Sequence, residues 1–425
     1  MIFEFTPQKL VYGGDALGHF QGRTVLVPHA LPGEKLEVEE VRIAKGVTYA
    51  RPLRVMTPAP ERVTPPCPYF GRCGGCRYQH LNYESQIAWK REILRETLRR
   101  IGRIRWEDDI RIHAAAPWNY RSQAQIKVSQ SQGRVELGFY EAESHRLVPV
   151  DECKILSPRL NAALGELRCH WWHSLLAECK EIEMTADHTD EKLMLTFKGT
   201  FNAQQGETLA RGCLDRLSGV ETVAVARDSG FTVYGAPAID YRVADFLYRV
   251  SPNSFFQASR FLISELAAAA TAGQSGSLAL DLYAGVGLFT LPLARAFQQV
   301  VGVEGNLAAA ADLEANAGRH ELHNIRVAGE SSYDFLRRFA QVAPDLVVVD
   351  PPRAGVGRRT LDLLARLGPS RVHYVSCHPP TLARDLGALS HLGYRVISVE
   401  MFDFFPQTAH IECLTQLVKS GRGNS

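Results

Sequence analysis

The sequence lacks three features that would identify its class of protein directly. It has no excess of one charge, no long hydrophobic run, and no N-terminus in which basic residues precede an apolar segment. Its 48 Lys and Arg residues nearly balance 46 Asp and Glu residues, so any nucleic-acid-binding surface must be local. No apolar run reaches the ~18 residues of a membrane span. The start, MIFEFTPQKL, does not resemble a secretory signal. These absences favour a cytoplasmic protein with no membrane contact.

The remaining composition is that of a folded protein with several domains. Of its 425 residues, 45% are hydrophobic, which excludes a disordered or fibrous chain. At about 150 residues per domain, two to four domains are expected. The nine cysteines are an odd number. Without a secretory signal, clustered cysteines indicate metal binding or catalysis rather than disulfides.

Residues 1–57 are predicted to form a small β-barrel of the oligonucleotide-binding type. Short strands alternate here with glycine-containing turns. In KLEVEEVRI, apolar residues at Leu36, Val38, Val41 and Ile43 bracket a charged face, and one slip in the alternation indicates a bulge. Several short strands within 60 residues are typical of such barrels.

Residues 58–250 are predicted to form a central α+β domain. A proline-rich connector opens it, and an amphipathic helix follows over residues 83–105. The polar side of that helix is rich in arginine, which fits either a solvated face or a surface for RNA. Strand and helix patterns then mix up to residue 250.

Residues 251–425 predict a Rossmann-like domain. Apolar strand patterns alternate with helical stretches, and runs such as LVVV indicate strands that are buried on both faces. This pattern is typical of a doubly wound α/β sheet. The last two strands are separated by a loop alone, which predicts a terminal antiparallel hairpin.

A glycine-containing turn in the third domain predicts a nucleotide-type ligand site. Asp281 ends an apolar strand, and Gly285 and Gly287 lie in the turn before the next helix. Glu304 ends the following strand, where a carboxylate can accept hydrogen bonds from ribose hydroxyls. Thr290 occupies the place of the third glycine of a dinucleotide fingerprint. The pattern therefore favours S-adenosylmethionine over NAD.

Three further residues at the ends of predicted strands point to chemistry on a substrate. Asp350 begins the sequence DPPR after a buried strand, at the edge that faces the crevice. Cys377 ends the next strand, and a thiolate suits addition to an electron-poor ring carbon. Glu412 lies within the last apolar strand, where burial should raise its pKa and fit it for proton transfer.

Four cysteines predict a metal site in the central domain. Cys67, Cys73 and Cys76 lie in the glycine-rich segment CPYFGRCGGC, and Cys153 follows at a distance. Four thiolates fit either zinc or an iron–sulfur cluster, and the spacing does not choose between them.

These motifs together give the chain a specific resemblance. The segments CPYFGRCGGC, SPNSFFQAS, DLYAGVGLFTLPLA, VVVDPPRAG, SCHPPTLARDL and PQTAHIECL occur in the order found in RNA (uracil-5-)-methyltransferases of the 23S ribosomal RNA type. The resemblance runs nearly from end to end. It implies that the first domain is a TRAM domain and that the helix after the third cysteine packs on the methyltransferase domain.

The resemblance also implies roles for individual residues. Cys377 would be the nucleophile and Glu412 the general base. The other implied residues are the S-adenosylmethionine contacts Gln257, Tyr283, Glu304 and Asp350, and the 4Fe–4S ligands Cys67, Cys73, Cys76 and Cys153. The substrate would be 23S ribosomal RNA, with transfer RNA as the alternative, and the protein is expected to be monomeric.

Two positions depart from the family pattern. Leu288 stands where several members carry Asn, which predicts the loss of one cofactor contact. His378 replaces the usual Asn after the nucleophile, so the geometry of that loop or the choice of substrate is expected to differ. Neither change removes a reacting group.

Three other classes remain as alternatives. An amino-group methyltransferase would use a DPPR-like loop but would not need Cys377 or Glu412. A non-catalytic RNA-binding module would keep the first domain and the cysteines but would bind no cofactor. A NAD enzyme is disfavoured by the glycine pattern.

Overall fold

The computed structural model describes residues 1–131, 134–227, 230–339 and 342–420, and three large β-sheets organise this part of the chain. The first sheet has the strand order β1-β5-β6-β4-β3-β2, and β4 runs parallel to β6. Its strands are Ile2–Phe5 (β1), Lys9–Leu10 (β2), Ala16–Phe20 (β3), Arg23–Val27 (β4), Lys35–Ala44 (β5) and Val47–Thr57 (β6).

The first sheet curls, but its two edge strands are not bonded to each other. Phe3 of β1 stacks on Phe20 of β3 with ring centroids 4.2 Å apart, so the ends of the sheet approach. Within residues 1–57, which the structure describes in full, no ladder joins β1 to β2. The predicted oligonucleotide-binding barrel is therefore not confirmed. The edge strand β2 has two residues and already pairs with β3, which leaves few groups for a second ladder.

The predicted irregularity in β5 lies at Val41. The β5–β6 register skips this residue, and Val41 is 61% exposed. Leu36 and Val38, which precede the irregularity, are fully buried, whereas Ile43 beyond it is half exposed. The strand thus continues past the core into the hairpin, and the apolar alternation describes the core only up to the bulge.

The predicted amphipathic helix is Tyr83–Arg100 (α1). It begins where the Asn82 side chain accepts the N–H of Ser85, which is a standard N-cap. It ends five residues before the predicted position, and Arg103, with φ of +58°, has a left-handed conformation that an α-helix cannot continue through. The apolar stripe of the helix is buried: Ile93, Leu94 and Leu98.

An ion pair is buried beneath α1. Lys90 is 1% exposed, and its Nζ lies 2.6 Å from Oδ1 of Asp403, which is fully buried. Lys90 also donates to the carbonyl of Phe405, and the Tyr83 hydroxyl donates to Asp403. These bonds replace the water that both charges lose, and they join the helix to the C-terminal part of the chain.

The second sheet covers most of residues 123–235. A short strand, Arg111–His113 (β7), precedes it and belongs to the third sheet. The order of the second sheet is β10-β9-β8-β11-β12-β13-β14. Its strands are Gln123–Ser131 (β8), Arg134–Tyr140 (β9), Leu147–Pro149 (β10), Cys179–Ala186 (β11), Leu193–Gly199 (β12), Val220–Arg227 (β13) and Gly230–Gly235 (β14). The helices Pro158–Leu167 (α2) and Ala203–Arg216 (α3) pack on it, and His170–Trp172 forms a 3-10 turn.

The remaining elements form a hairpin and the third sheet with its helices. They are Ile239–Val243 (β15), Phe246–Val250 (β16), Ile263–Thr271 (α4), Gly276–Leu282 (β17), Thr290–Ala294 (α5), Phe297–Val303 (β18), Leu307–Arg319 (α6), Ile325–Ala328 (β19), Ser332–Arg338 (α7), Leu346–Val349 (β20), Arg358–Leu367 (α8), Arg371–Ser376 (β21), Pro379–His391 (α9), Tyr394–Phe402 (β22) and Glu412–Lys419 (β23). The β15–β16 hairpin packs on α6, although it precedes the predicted boundary at residue 251.

The third sheet has the order β19-β18-β17-β20-β21-β23-β22-β7. Strands β17 to β21 are parallel, and β23 is antiparallel to both β21 and β22, which confirms the predicted terminal hairpin. All four residues of β20 are buried, as expected for a strand with helices on both faces. Helix α1 packs on α9, and β7 adds a parallel edge strand beside β22. None of the described helices has the length and apolar character to cross a membrane.

Candidate active site

The candidate site lies where the carboxyl ends of the parallel strands meet. Strand β17 has β18 on one side and β20 on the other, so the chain leaves its end at the point where the strand order reverses. The segments that follow β17, β18, β20 and β21 carry Tyr283, Glu304, Asp350 and Cys377. Four residues predicted from separate motifs therefore lie along one edge of the sheet.

Cys377 and Glu412 lie opposite each other across two antiparallel strands. Ser376 of β21 pairs with Cys413 of β23, and the next step of this register places Cys377 beside Glu412. Glu412 is 3% exposed, whereas Cys377 is partly exposed. A thiol open to a ligand and a buried carboxyl group thus form one pair.

Burial and charge control the protonation of this pair. Burial raises the pKa of the Cys377 thiol to about 11, the charges of Glu412 and Asp350 add to the shift, and the guanidinium of Arg353 opposes it. Burial and the neighbouring Asp350 raise the pKa of Glu412 well above its usual range. Burial also raises the pKa of Asp350 to about 7. Arg353 is therefore the cation that favours the thiolate.

Gln257 and Asp350 face each other at the same edge. The Gln257 amide nitrogen lies 3.4 Å from Oδ2 of Asp350, and Gln257 is largely buried. The segment that carries Gln257 is fixed through Ser122, whose N–H donates to the carbonyl of Ala258. The central domain thereby helps to hold this part of the site.

Glu304 joins the glycine turn to the start of α6 through two backbone hydrogen bonds. Its Oε2 accepts the N–H of Gly285 at 2.8 Å, and its Oε1 accepts the N–H of Asn306 at 2.6 Å. Asn306 is the N-cap of α6. The carboxylate therefore orders the turn. It lies at the strand end, where the sequence pattern predicts an acceptor for the ribose hydroxyls.

The rest of the turn is held by a buried acid and a strained backbone. Thr290, at the place of the missing third glycine, donates its hydroxyl to Asp281 at 2.5 Å. Burial raises the pKa of Asp281 to about 7. Tyr283 has φ of +64°, a left-handed conformation that non-glycine residues rarely adopt and that clusters at ligand sites.

The two departures from the family pattern have structural consequences. Leu288 is buried in the apolar core and offers no polar group, and its carbonyl accepts the Tyr248 hydroxyl. His378 is the N-cap of α9, where its Nδ1 accepts the N–H of Thr381. The imidazole thus performs the capping that an Asn side chain would perform.

Tyr12 and Arg353 also lie close to the site, although no motif predicted a role for either residue. Tyr12 belongs to the turn between β2 and β3, and its ring meets the His378 ring edge-on at 5.2 Å. Arg353 lies next to Cys377 and contacts the ring of His410. Arg353 was visible within DPPR at a strand end, whereas nothing near Tyr12 in the sequence signals its position.

The four cysteines that were predicted to bind a metal line one cavity. Cys67, Cys73, Cys76 and Cys153 all border a cavity of about 50 Å³, larger than the ~10–15 Å³ that one water needs. In the described part of the chain, no group of three or more His, Cys, Asp or Glu side chains is placed to hold a metal ion. The predicted site is therefore not confirmed.

Comparison with known proteins gives matches over nearly the whole chain. A 23S rRNA (uracil(1939)-C(5))-methyltransferase RlmD of Alkalilimnicola ehrlichii is 36% identical over 97% of this chain and 95% of that protein. A protein of Aquifex aeolicus described as an uncharacterized RNA methyltransferase is 34% identical over 97% of this chain and 98% of its own.

The fold also matches a solved structure. The Pyrococcus abyssi tRNA (uracil-54, C5)-methyltransferase, in complex with S-adenosyl-L-homocysteine, superposes with a TM-score of 0.75 at 24% identity, and the match covers 98% of this chain and 99% of that one. A family model described as tRNA (uracil-5-)-methyltransferase matches residues 82–420. The resemblance seen in the motifs is thereby confirmed, and the chain belongs to the tRNA (uracil-5-)-methyltransferase family.

Proposed function

We propose that this protein transfers a methyl group from S-adenosylmethionine to carbon 5 of a uridine in 23S ribosomal RNA. The observation that carries the proposal is the placement of Cys377 beside Glu412, with Asp350 at the same strand edge. The 36% identity to an RlmD protein over nearly the full length supports 23S rRNA as the substrate. Transfer RNA, named in the family description, is the alternative.

In the proposed mechanism Cys377 opens the reaction. Its thiolate forms a bond to carbon 6 of the uracil, and the electron pair of the C5–C6 double bond makes carbon 5 nucleophilic. Arg353 favours the thiolate because its positive charge lowers the pKa of the thiol. Bound S-adenosylmethionine would supply an electrophilic methyl group to carbon 5.

Glu412 completes the reaction. Its carboxylate takes the remaining proton from carbon 5, the double bond re-forms, and the bond from carbon 6 to Cys377 breaks, which returns the thiolate. The raised pKa of Glu412 makes the carboxylate a stronger base for this step. Because both groups lie within the sheet edge, the target base must leave its stack to reach them.

The cofactor would occupy the edge formed by β17, β18 and β20. We assign its contacts to Gln257, Tyr283, Glu304 and Asp350. Glu304 and the left-handed Tyr283 support this, because both shape the turn at the reversal point of the sheet.

We propose the domains 1–57, 58–250 and 251–425, with the first sheet acting as a TRAM-type RNA-binding domain and the protein as a monomer. The arginine-rich face of α1 supports an RNA path beside the third domain, because α1 packs on α9 next to the site.

We also propose a 4Fe–4S cluster in the central domain. Cys67, Cys73, Cys76 and Cys153 would hold it, and their common cavity supports the assignment. The cluster would organise the fold of the cysteine loop and take no part in the reaction. Anaerobic purification should give a brown protein with about four iron and four sulfide ions per chain. Stoichiometric zinc without sulfide would instead favour a zinc site.

The proposed function is tested with RNA that lacks 5-methyluridine. The protein and S-adenosylmethionine are incubated with 23S rRNA or with bulk tRNA, and 5-methyluridine is measured by mass spectrometry. We expect 5-methyluridine in 23S rRNA and none with Cys377→Ala. The control Cys413→Ala, which alters a fully buried thiol, should keep its activity. Product in tRNA alone selects the alternative. Binding of S-adenosylmethionine without product in either RNA overturns the proposal.

A further inference from the structure

The turn between β2 and β3 packs against the loop of residues 403–411, which leads to Glu412. The Gly14 N–H donates to the carbonyl of Val11, which closes the turn. A Cβ atom at Gly14 would lie 3.3 Å from that of Ala409, so glycine permits this close approach. Arg77 and Tyr78 bind the same loop, since both donate N–H groups to the carbonyl of Gln407. The first sheet is therefore fixed to the edge of the active site.

This packing brings Tyr12 to the residue that follows the nucleophile. The Tyr12 and His378 rings meet edge-on, with centroids 5.2 Å apart and an interplanar angle of 83°. Such a T-shaped pair is a favourable aromatic geometry. Burial raises the pKa of the Tyr12 phenol to about 12, so the side chain is neutral and adds no charge beside Cys377.

The other contacts of His378 fix its tautomer. Nδ1 accepts the N–H of Thr381 at the start of α9. Burial and the charges of Arg353 and Arg384 lower the pKa of His378, so the ring is neutral and carries its proton on Nε2. Among the described residues Nε2 has no hydrogen-bond partner. A donor next to Cys377 is thus held in place by α9 on one side and by Tyr12 on the other.

We propose that Tyr12 is a positioning residue of the uracil site, which holds the Nε2–H of His378 towards a carbonyl oxygen of the target uracil. Uracil presents carbonyl oxygens at positions 2 and 4, and a neutral imidazole N–H is a matching donor. The inference rests on the proposed function. It implies that the first sheet contributes to recognition of the target base as well as to RNA binding.

The test compares Tyr12→Leu, Tyr12→Phe and His378→Leu with the unchanged protein, using RNA methylation kinetics and S-adenosylmethionine affinity. We expect Tyr12→Leu to lower kcat/KM for RNA about tenfold, the size of one lost hydrogen bond in a site. Tyr12→Phe, which keeps the ring, should remain within about twofold. S-adenosylmethionine affinity should not change in any of them. The matched control is Tyr49→Leu, because Tyr49 is in the same sheet and pairs with Arg42 instead.

The double variant Tyr12→Leu/His378→Leu decides whether Tyr12 acts through His378. If it does, the double variant is no slower than His378→Leu alone. If kcat/KM of the double variant instead falls by the product of the two single losses, the inference is wrong. It is also wrong if Tyr12→Leu has the kinetics of the unchanged protein. If Tyr12→Leu lowers the melting temperature, Tyr12→Phe and His378→Leu are compared instead. We expect full activity in Tyr12→Phe and a loss of activity in His378→Leu. Full activity in both variants overturns the inference. Absence of methylation by the unchanged protein overturns the proposed function itself.

Discussion

Substitution of the general base should trap the reaction halfway. In Glu412→Gln the side chain keeps its shape but cannot take the proton from carbon 5. Addition of Cys377 to carbon 6 and methylation of carbon 5 precede that step, so both should still occur. The expected product is a covalent protein–RNA conjugate that carries the new methyl group and does not resolve.

The structure sets the size of both effects. With a pKa of about 11, about one Cys377 thiol in a thousand is ionised at pH 8. Burial and Asp350 raise the pKa of Glu412 well above its usual range, and Gln resembles the neutral form that this shift favours. Conjugate formation should therefore be as fast as in the unchanged protein or faster. Release should slow by about 10²–10⁴-fold, the usual contribution of a general base.

The assay is denaturing electrophoresis of the protein with labelled RNA, followed over time with and without S-adenosylmethionine. A slow-migrating band should accumulate with Glu412→Gln only when the methyl donor is present, and Cys377→Ala should give none. Turnover near the normal rate without a conjugate would remove Glu412 from the mechanism. A conjugate formed by Cys377→Ala would transfer the nucleophile's role to another thiol.

Three further results are expected. Glu304→Ala should weaken S-adenosylmethionine binding about tenfold or more in calorimetry, because two charge-assisted bonds that join the glycine turn to the start of α6 are lost. The matched control Glu314→Ala, on the exposed face of α6, should bind normally. The rate of alkylation of Cys377 should rise about tenfold per pH unit between about pH 7 and 9, because its pKa of about 11 keeps the thiolate fraction rising across that range. A rate that levels off below pH 9 would contradict this. Lys90→Ala should lower the free energy of unfolding in urea by about 3–5 kcal/mol, because it leaves Asp403 buried without its counter-charge, and a change below 1 kcal/mol would show that water replaces the ammonium group.

The site residues of the third domain could be predicted from the sequence because each of their motifs lies at the end of a strand. Parallel strands deliver their carboxyl ends to one edge, so Glu304, Asp350 and Cys377 had to gather once the strands were recognised. The position of Glu412 beside Cys377 needed one more step, the antiparallel terminal hairpin, which was also predicted.

Other features depend on contacts that leave no local pattern. Tyr12 reaches the site because the first sheet docks on the third, and that docking is decided by surfaces far apart in the chain. Strand β7 has three residues, too few to show a period, so its place beside β22 could not be predicted from alternation. Helix α1 ends at Arg100, shortly before the left-handed backbone of Arg103, and helical periodicity does not reveal that conformation.

The buried pair of Lys90 and Asp403 also constrains when the protein can fold. The two residues are separated by 313 positions, so at about 5–20 residues per second the ribosome makes the lysine roughly 15–60 s before its partner. Until then the ammonium group cannot enter the interior, and the apolar stripe of α1 stays uncovered on the nascent chain. Helix α1 therefore reaches its native packing only after the last strands are made, and chaperones that shield exposed apolar segments have most time to act on it.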